Sequence, residues 1–241
     1  MKMKAKIQNG GHKKEKVLVV AAHPDDEALG CGGTIARHIA KGDSVYVVFL
    51  TDGVGSRTSN QGGATDAAAR SVSSLSALKV LGVTEDAITA FSFPDNAMDS
   101  VPRLEVVKAI ESVISQVQPE VVYTHHAGDL NVDHRYAYEA TMTACRPQPE
   151  SSVKEIYSYE VPSSTAWLGA SYGRHFEPNF YVEITDYLNC KMKALIEYEE
   201  EMRIFPHARS KEALEHLARW RGSQVGLLAA EAFVVERVIS D

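Results

Sequence analysis

Cysteine is scarce in this chain, which has only three among its 241 residues: Cys31, Cys145 and Cys190. A small and odd number excludes the disulfide framework typical of small secreted proteins. We therefore expect a protein of the reducing cytoplasm. A chain of this length that is 44% hydrophobic can bury a sizeable core, which predicts one globular domain over residues 16–241.

Long apolar segments and an excess of basic residues are also missing. No apolar run approaches the roughly 18 residues that a membrane-spanning helix needs. Residues 1–15 are rich in lysine but have no apolar core, which argues against a secretory signal and predicts a flexible N-terminal extension. The net charge of −7 argues against a nucleic-acid partner, because such a partner needs a basic surface.

What the chain does have is an alternation of short apolar runs and amphipathic segments. Strands are predicted from Val17 and over residues 44–50, 87–93, 120–124, 153–159, 179–184 and 232–239. Helices are predicted over residues 34–41, 64–81, 104–118, 135–145, 187–202 and 210–221. This alternation is typical of an α/β fold with a mostly parallel, doubly wound sheet and helices on both faces.

A polar cluster follows the first apolar run. The run is typical of a strand buried on both faces, and it ends at Ala22-His23-Pro24-Asp25-Asp26-Glu27. In open α/β sheets, ligands bind at the carboxyl ends of the strands, where this cluster would lie. Three adjacent acids repel one another, so the cluster is either a site for a divalent metal or a solvated acidic turn.

A second cluster of the same kind follows the run at residues 120–124. It contains His125, His126, Asp129, Asn131, Asp133 and His134. Catalytic zinc usually takes three protein ligands with nitrogen or oxygen donors and leaves one position for water. His23, Asp26 and His134 would supply two imidazoles and one carboxylate if the two strand ends are neighbours. Together the two clusters favour a metal centre.

With these motifs the chain resembles the PIG-L (LmbE-like) family of metal-dependent sugar N-deacetylases. The resemblance rests on residues 22–27 and on Asp133-His134, and it extends from about Lys16 to the C-terminus. It implies a Rossmann-like fold and removal of the acetyl group from an N-acetylated, glucosamine-type sugar or sugar conjugate. It also implies one Zn²⁺ per chain on His23, Asp26 and His134, although another divalent metal would suit the same ligands.

The resemblance implies catalytic roles for further residues. Asp25 would be the general base that accepts a proton from water and hands it to the leaving amine. Asp133 would support His134 or tune the protonation of a neighbouring group. Glu27 could contact the shell around the metal ligands or the following loop, and orienting a ligand histidine is favoured over direct ligation.

The donor that stabilises the developing oxyanion is left open. Some relatives have a histidine three residues before the last zinc ligand, where this chain has Asn131. The role therefore falls to Asn131, His126 or His207. His125, at the end of the same strand, is at least as well explained as a packed, hydrogen-bonded histidine.

Four residues are candidates for contacting the substrate. Asp52 and Arg57 lie in the loop after the second strand, where a capped turn and an exposed arginine are the alternative interpretations. Arg70 lies on the following helix, but Ser73 stands where relatives have a glutamate partner for it. Arg209 belongs to a run at residues 206–210 that related deacetylases share, and Ser210 could simply cap the next helix.

Three rival functions are considered. A dinucleotide-binding protein would carry G-x-G-x-x-G directly after the first strand, and that pattern is absent. A non-catalytic sugar- or metal-binding module would keep the ligands but would not need Asp25. A hydrolase of a non-sugar amide could use the same zinc site. A small N-acetylated molecule is the expected partner, and the sequence allows a homo-oligomer.

Overall fold

A mostly parallel sheet forms the centre of the protein. The computed structural model describes residues 13–53 and 63–240, with the side chains of residues 63–67 excepted. Residues 1–12 of the predicted extension therefore lie outside the described residues. The strands found are β1 (Lys16–Ala21), β2 (Ser44–Thr51), β3 (Ile88–Phe93), β4 (Val121–His125), β5 (Glu155–Tyr159), β6 (Phe180–Glu183) and β7 (Ala230–Val238).

The strand order is β3-β2-β1-β4-β5-β7-β6. Strands β3, β2, β1, β4 and β5 run parallel to one another, whereas β7 runs antiparallel to both of its neighbours. The predicted α/β fold with a mostly parallel sheet is confirmed. The direction of β7 was not predicted, because an apolar run looks the same in either orientation.

Helices cover both faces of this sheet. They are α1 (Asp26–Lys41), α2 (Gly63–Leu81), α3 (Arg103–Val117), α4 (Val132–Ala144), α5 (Leu188–Ile196) and α6 (Lys211–Ser223). One core packs α1, α2, α5 and α6 against the sheet, and the other packs α3 and α4. Strand β1 contributes Val17, Val19 and Ala21 to the first core and Leu18 and Val20 to the second. The prediction that β1 is buried on both faces is confirmed.

Helix α1 differs from its predicted extent, because it begins at Asp26 rather than at Thr34. The glycines in this segment are helical and allow the helix to pack closely. A Cβ atom at Gly30 would lie 2.2 Å from the Tyr159 ring, and one at Gly33 would lie 2.8 Å from Ile184. The helix is broken at Cys31, whose φ of −141° is not helical.

Helix α5 is shorter than predicted and ends at Ile196, after which Glu199–Glu201 forms a single 3₁₀ turn. Successive acids are unfavourable at the negative end of a helix dipole, which explains the early stop. Ser210 caps α6 by accepting the N–H of Ala213 at 3.1 Å, as its position predicted. Among the described residues, no helix combines the length and the apolar character needed to cross a membrane.

Candidate metal centre and active site

The two predicted motifs meet because β1 and β4 are neighbouring parallel strands. Val17 pairs with Val121, and Val19 pairs with Tyr123, so both strands end at the same edge of the sheet. The strand order reverses between β1 and β4, and such a switch point leaves a crevice outside the carboxyl ends. His23 follows β1 into this crevice, and His134 enters it from the first turn of α4.

His23, Asp26 and His134 form a tight buried cluster. Asp26 Oδ2 lies 3.1 Å from His23 Nδ1 and 3.3 Å from His134 Nε2. The two ring nitrogens are 3.2 Å apart. One donor atom from each residue lies within 4.8 Å of the other two. The structure thus brings together the three residues that the sequence nominated as metal ligands.

The outer nitrogen of each histidine faces a carboxylate. His23 Nε2 lies 3.0 Å from Asp133 Oδ2 and also 3.0 Å from Asp95 Oδ1. His134 Nδ1 lies 3.2 Å from Asp129 Oδ2. Carboxylates in this position fix the ring orientation of metal-binding histidines. Asp133 therefore supports His23, whereas the support expected for His134 comes from Asp129, a member of the second cluster for which no role was predicted.

The carboxylates also control the charge of the cluster. Burial lowers the pKa of His134, but Asp26 and Asp129 outweigh it and raise that pKa to about 9. Burial also lowers the pKa of His23, but its hydrogen bonds with Asp133 and Asp26 outweigh burial. The pKa of His23 is therefore well above its usual value. Burial acts to raise the pKa of Asp26, but the charge of His134 and hydrogen bonds to His134 and His23 hold it well below the usual range. Without a metal, protons on the two rings therefore pair with one oxygen of Asp26, Oδ2.

The cluster also passes a structural test for a metal site. Asp26 Oδ1 is buried and has no hydrogen-bond partner among the described residues. Such an unsatisfied buried oxygen is costly unless something else occupies its lone pairs. Two imidazoles and a carboxylate form a ligand set that suits catalytic zinc, with one coordination position left for water.

Asp25 sits beside the cluster in a strained conformation. Its φ of 125° is rare for a residue with a side chain and costs about 1–3 kcal/mol. Its carboxylate accepts a hydrogen bond from Arg209 Nη1 at 3.0 Å. Burial raises the pKa of Asp25 to about 7, and Arg209 opposes that rise. A group of this kind can hold or release a proton near neutral pH.

Glu27 supports the strained turn rather than a ligand histidine, which corrects the role expected for it. One of its oxygens accepts the N–H of Asp25 at 3.1 Å, and the other accepts the hydroxyl of Tyr198 at 2.7 Å. Burial raises the pKa of Glu27 to about 8, and the hydrogen bond from Tyr198 opposes that rise.

Arg70 has a carboxylate partner despite the serine at position 73. It is buried and forms an ion pair with Glu201, which the 3₁₀ turn after α5 supplies. Arg70 also donates to the carbonyls of Pro24 and Gly53 at 3.2 and 3.3 Å. Glu201 lies 3.5 Å from Arg209 as well, so one carboxylate links the two arginines next to Asp25.

The three candidate oxyanion donors have different positions. Asn131 caps α4 by accepting the N–H of Asp133 at 2.8 Å, while its Nδ2 donates to Asn96 at 3.2 Å. His126 is directed elsewhere, since its ring meets Phe176 edge-on at 5.3 Å. Successive side chains leave a strand in opposite directions, which explains why His126 does not follow His125 into the centre.

His207 accepts the backbone N–H of Arg209 at 3.0 Å and meets the Trp167 ring at 5.5 Å. It therefore lies in the wall beside the centre. His125 is a packed histidine whose Nε2 accepts the N–H of Ala22 at 2.9 Å and whose ring stacks on His134 at 4.0 Å. Burial lowers the pKa of His125 to about 3, so this ring is neutral.

A small polar cavity of about 120 Å³ opens above the cluster. Its lining comprises His23, Asp25, Gly53, Arg70, Asp95, Asn96, Asn131, Glu201 and Arg209. Of the described part of the loop after β2, Gly53 lines this cavity, whereas Asp52 is half-buried and is not part of the lining. Arg57 lies outside the described residues.

Comparison with known proteins places the chain in a family. The PIG-L family model, described as GlcNAc-PI de-N-acetylase, matches residues 18–145. The uncharacterized deacetylase YaiS of Escherichia coli is 31% identical over 195 residues, which cover 78% of this chain and 93% of that protein. Diacetylchitobiose deacetylase of Thermococcus kodakarensis is 30% identical over 213 residues, which cover 83% of this chain and 75% of that protein.

Among solved structures, N,N'-diacetylchitobiose deacetylase of Pyrococcus horikoshii shares the fold, with a TM-score of 0.77 at 24% identity. This match covers 95% of the present chain and 86% of the archaeal one. The family model spans more than half of the sequence, and its match includes both motifs that form the buried cluster. The chain therefore belongs to the PIG-L family.

Proposed function

We propose that this protein is a zinc-dependent N-deacetylase. It removes the acetyl group from an N-acetylated, glucosamine-type sugar or sugar conjugate and releases acetate and a free amine. The observation that carries the proposal is the buried cluster of His23, Asp26 and His134 with Asp25 directly beside it. Two relatives that are named as deacetylases and align with most of this chain support the same reaction.

His23, Asp26 and His134 would hold the zinc ion. When bound there, zinc supplies a Lewis acid and a water molecule of lowered pKa, which amide hydrolysis needs at neutral pH. Asp129 and Asp133 keep the two imidazole rings turned towards Asp26, so the ligand set is already oriented.

Asp25 moves the proton in this reaction. Its carboxylate accepts a proton from the attacking water and later delivers that proton to the nitrogen of the leaving amine. Arg209 holds the carboxylate in place at 3.0 Å, and Glu27 fixes the backbone of the same residue. Because Arg209 is engaged in this way, its first role is to position the base, and direct contact with the substrate would come second.

Asn131 is the best placed of the three candidate oxyanion donors, because it is the one that lines the small cavity. Its Nδ2 carries two hydrogens, and one of them donates to Asn96. The second hydrogen can donate to the acyl oxygen as negative charge develops on it. Capping of α4 by the same side chain keeps the amide in position.

The test combines elemental analysis of the purified protein with an acetate-release assay on a panel of N-acetylated sugars. We expect about one zinc per chain and acetate release that a chelator abolishes. Bound metal without acetate from any sugar would favour a non-sugar amide or a binding module. A protein without metal would contradict the proposal.

A pair of variants tests the role of the base. Asp25→Asn should keep the metal but lose turnover by about 100-fold or more, because the amide cannot accept the proton. Asp99→Asn, which changes an exposed aspartate in a 3₁₀ turn, is the matched control and should retain activity. Equal activity in the two variants would remove Asp25 as the base.

A further inference from the structure

A second, larger cavity adjoins the small polar cavity above the metal centre. Its volume is about 510 Å³, roughly four times the 120 Å³ of the first. The two cavities share Asn96, Asn131, Glu201 and Arg209, so they lie side by side. We call the larger cavity the outer groove. A substrate whose acetamido group reaches the small cavity can extend into this adjoining groove.

Trp167 forms an apolar wall of the outer groove. Its side chain is 54% exposed, although an aromatic residue of this size is mostly buried elsewhere in proteins. Leu130, which is 48% exposed, lines the same groove. An exposed indole face in a cavity next to a reaction centre indicates a ligand surface more than a failure of packing.

The position of Trp167 is fixed by the catalytic neighbourhood. Its backbone N–H donates to the carbonyl of Ser163 at 2.9 Å, and the Ser163 hydroxyl accepts Arg209 Nε at 3.1 Å. Arg209 in turn holds Asp25. His207 meets the indole ring with an interplanar angle of 86°, which fixes its orientation from one side. The residue is therefore anchored through its backbone to the neighbourhood of the base, and its ring is contacted by His207.

The remaining lining of the groove is polar. Asn131, Ser164, Arg203 and His207 place amide, hydroxyl, guanidinium and imidazole groups around the apolar wall. A pyranose ring has the matching chemistry, because its C–H face is apolar and its rim carries hydroxyls. A fatty chain would take these polar groups out of water and could not hydrogen-bond to them, which is unfavourable.

Resting on the proposed function, we propose that the outer groove binds the sugar unit linked to the one that carries the acetamido group, with Trp167 as its stacking platform. The small cavity has room for the acetamido group, and the sugar ring that bears it lies at the junction of the two spaces. The preferred substrate then contains at least two linked sugar units, and Trp167 determines that preference.

Fluorescence can test the proposal without turnover, because the chain contains only two tryptophans, Trp167 and Trp220. Trp220 is exposed on α6, so Trp220→Phe leaves Trp167 as the sole reporter. Asp25→Asn in the same zinc-loaded protein prevents hydrolysis. We expect N,N'-diacetylchitobiose to change the emission with a Kd about 10-fold lower than that of N-acetylglucosamine. Trp167→Phe, with Trp220 retained, should show no such change.

Kinetics give the second readout. The ratio of kcat/KM for the disaccharide to that for the monosaccharide should be about 10 in the unmodified enzyme and fall towards 1 in Trp167→Ala. Trp220→Ala is the matched control and should keep the ratio. An unchanged ratio in Trp167→Ala, or equal affinity for the two sugars in the fluorescence titration, would overturn the proposal.

The two proposals fail in different ways. If no sugar releases acetate, the deacetylase proposal fails, while the fluorescence titration still reports whether the groove binds a disaccharide. If acetate is released but the emission of Trp167 does not respond to the disaccharide, the deacetylase proposal is supported. The proposal that the outer groove binds a second sugar unit is then wrong. An octyl N-acetylglucosaminide preferred over the disaccharide would show an apolar group in the groove instead and would also overturn the proposal.

Discussion

Helix α1, which carries Asp26, packs closely on the sheet, and substitutions of two of its glycines can test that packing. Gly30 and Gly32 lie on the same helix, but their surroundings differ. A methyl group at Gly30 would lie 2.2 Å from Cδ2 of Tyr159, far inside van der Waals contact. At Gly32 it would lie 3.4 Å from Cγ of Lys191, which is an ordinary contact distance. We therefore expect Gly30→Ala to destabilise the protein and Gly32→Ala to be tolerated.

The magnitude follows from the environment of Tyr159. This ring is fully buried, and its hydroxyl donates to the carbonyl of Val20 at 3.0 Å. Overpacking costs about 1–3 kcal/mol, and disturbing the hydrogen bond costs about 1 kcal/mol. The better helix propensity of alanine offsets about 1 kcal/mol of this destabilisation. Gly30→Ala should thus lower the free energy of unfolding by about 2 kcal/mol, or Tm by about 4–8 °C.

Thermal unfolding followed by circular dichroism measures this difference. The zinc concentration must be the same for all variants, because a ligand that binds only the folded state raises Tm. Gly32→Ala keeps the gain in propensity without the clash and should raise Tm by about 1–3 °C. Both variants replace a helical glycine, so only the contact with Tyr159 separates them. Equal Tm values would refute the packing argument.

Three further predictions concern the metal centre. His134→Ala should lose most of the bound zinc in elemental analysis, whereas His126→Ala, whose ring packs on Phe176, should retain it; equal zinc contents would refute the ligand assignment. Asn131→Asp keeps the cap of α4 but lacks the amide donor, so its Tm should hold while kcat falls by about 100-fold; unchanged kcat would exclude Asn131 as the oxyanion donor. The pKa of His134 is about 9 without metal, so zinc must displace a proton at neutral pH. The apparent affinity of the protein for zinc should therefore weaken by at least about 10-fold per pH unit as the pH falls below 9. Calorimetry on chelator-stripped protein can measure this affinity. An affinity independent of pH would contradict the protonated state of His134.

The central cluster could be predicted from the sequence because its geometry follows from local patterns. Each apolar run marks a strand, and the polar residues directly after it must lie at that strand's carboxyl end. Adjacent parallel strands bring two such ends together. His23 and His134 are therefore nominated by their positions after β1 and β4, even though the pairing of these strands is not encoded locally.

The partners of the cluster could not be predicted in this way. Glu201 meets Arg70 only because α5 ends early and a 3₁₀ turn redirects the chain. Asp129 looks like an ordinary loop acid until α4 turns His134 towards it. Gly30 gives no local sign of its role. Only the ring of Tyr159, on a strand distant in sequence, shows that a larger side chain at this helical position would clash. Each of these contacts depends on long-range packing.

The structure gives two neighbouring acids of the first motif, Asp25 and Asp26, different environments. Burial acts on both Asp25 and Asp26 in the same direction, but their charged neighbours differ. Asp26 faces His134 and His23, which hold its pKa well below the usual range, so it stays an anion and suits a ligand. Asp25 has a φ of 125° that directs its carboxylate to Arg209, and burial keeps its pKa at about 7. Environments that separate two pKa values in this way assign separate roles. On the proposed function, the strained turn before α1 would therefore make one acid a ligand and its neighbour a proton carrier.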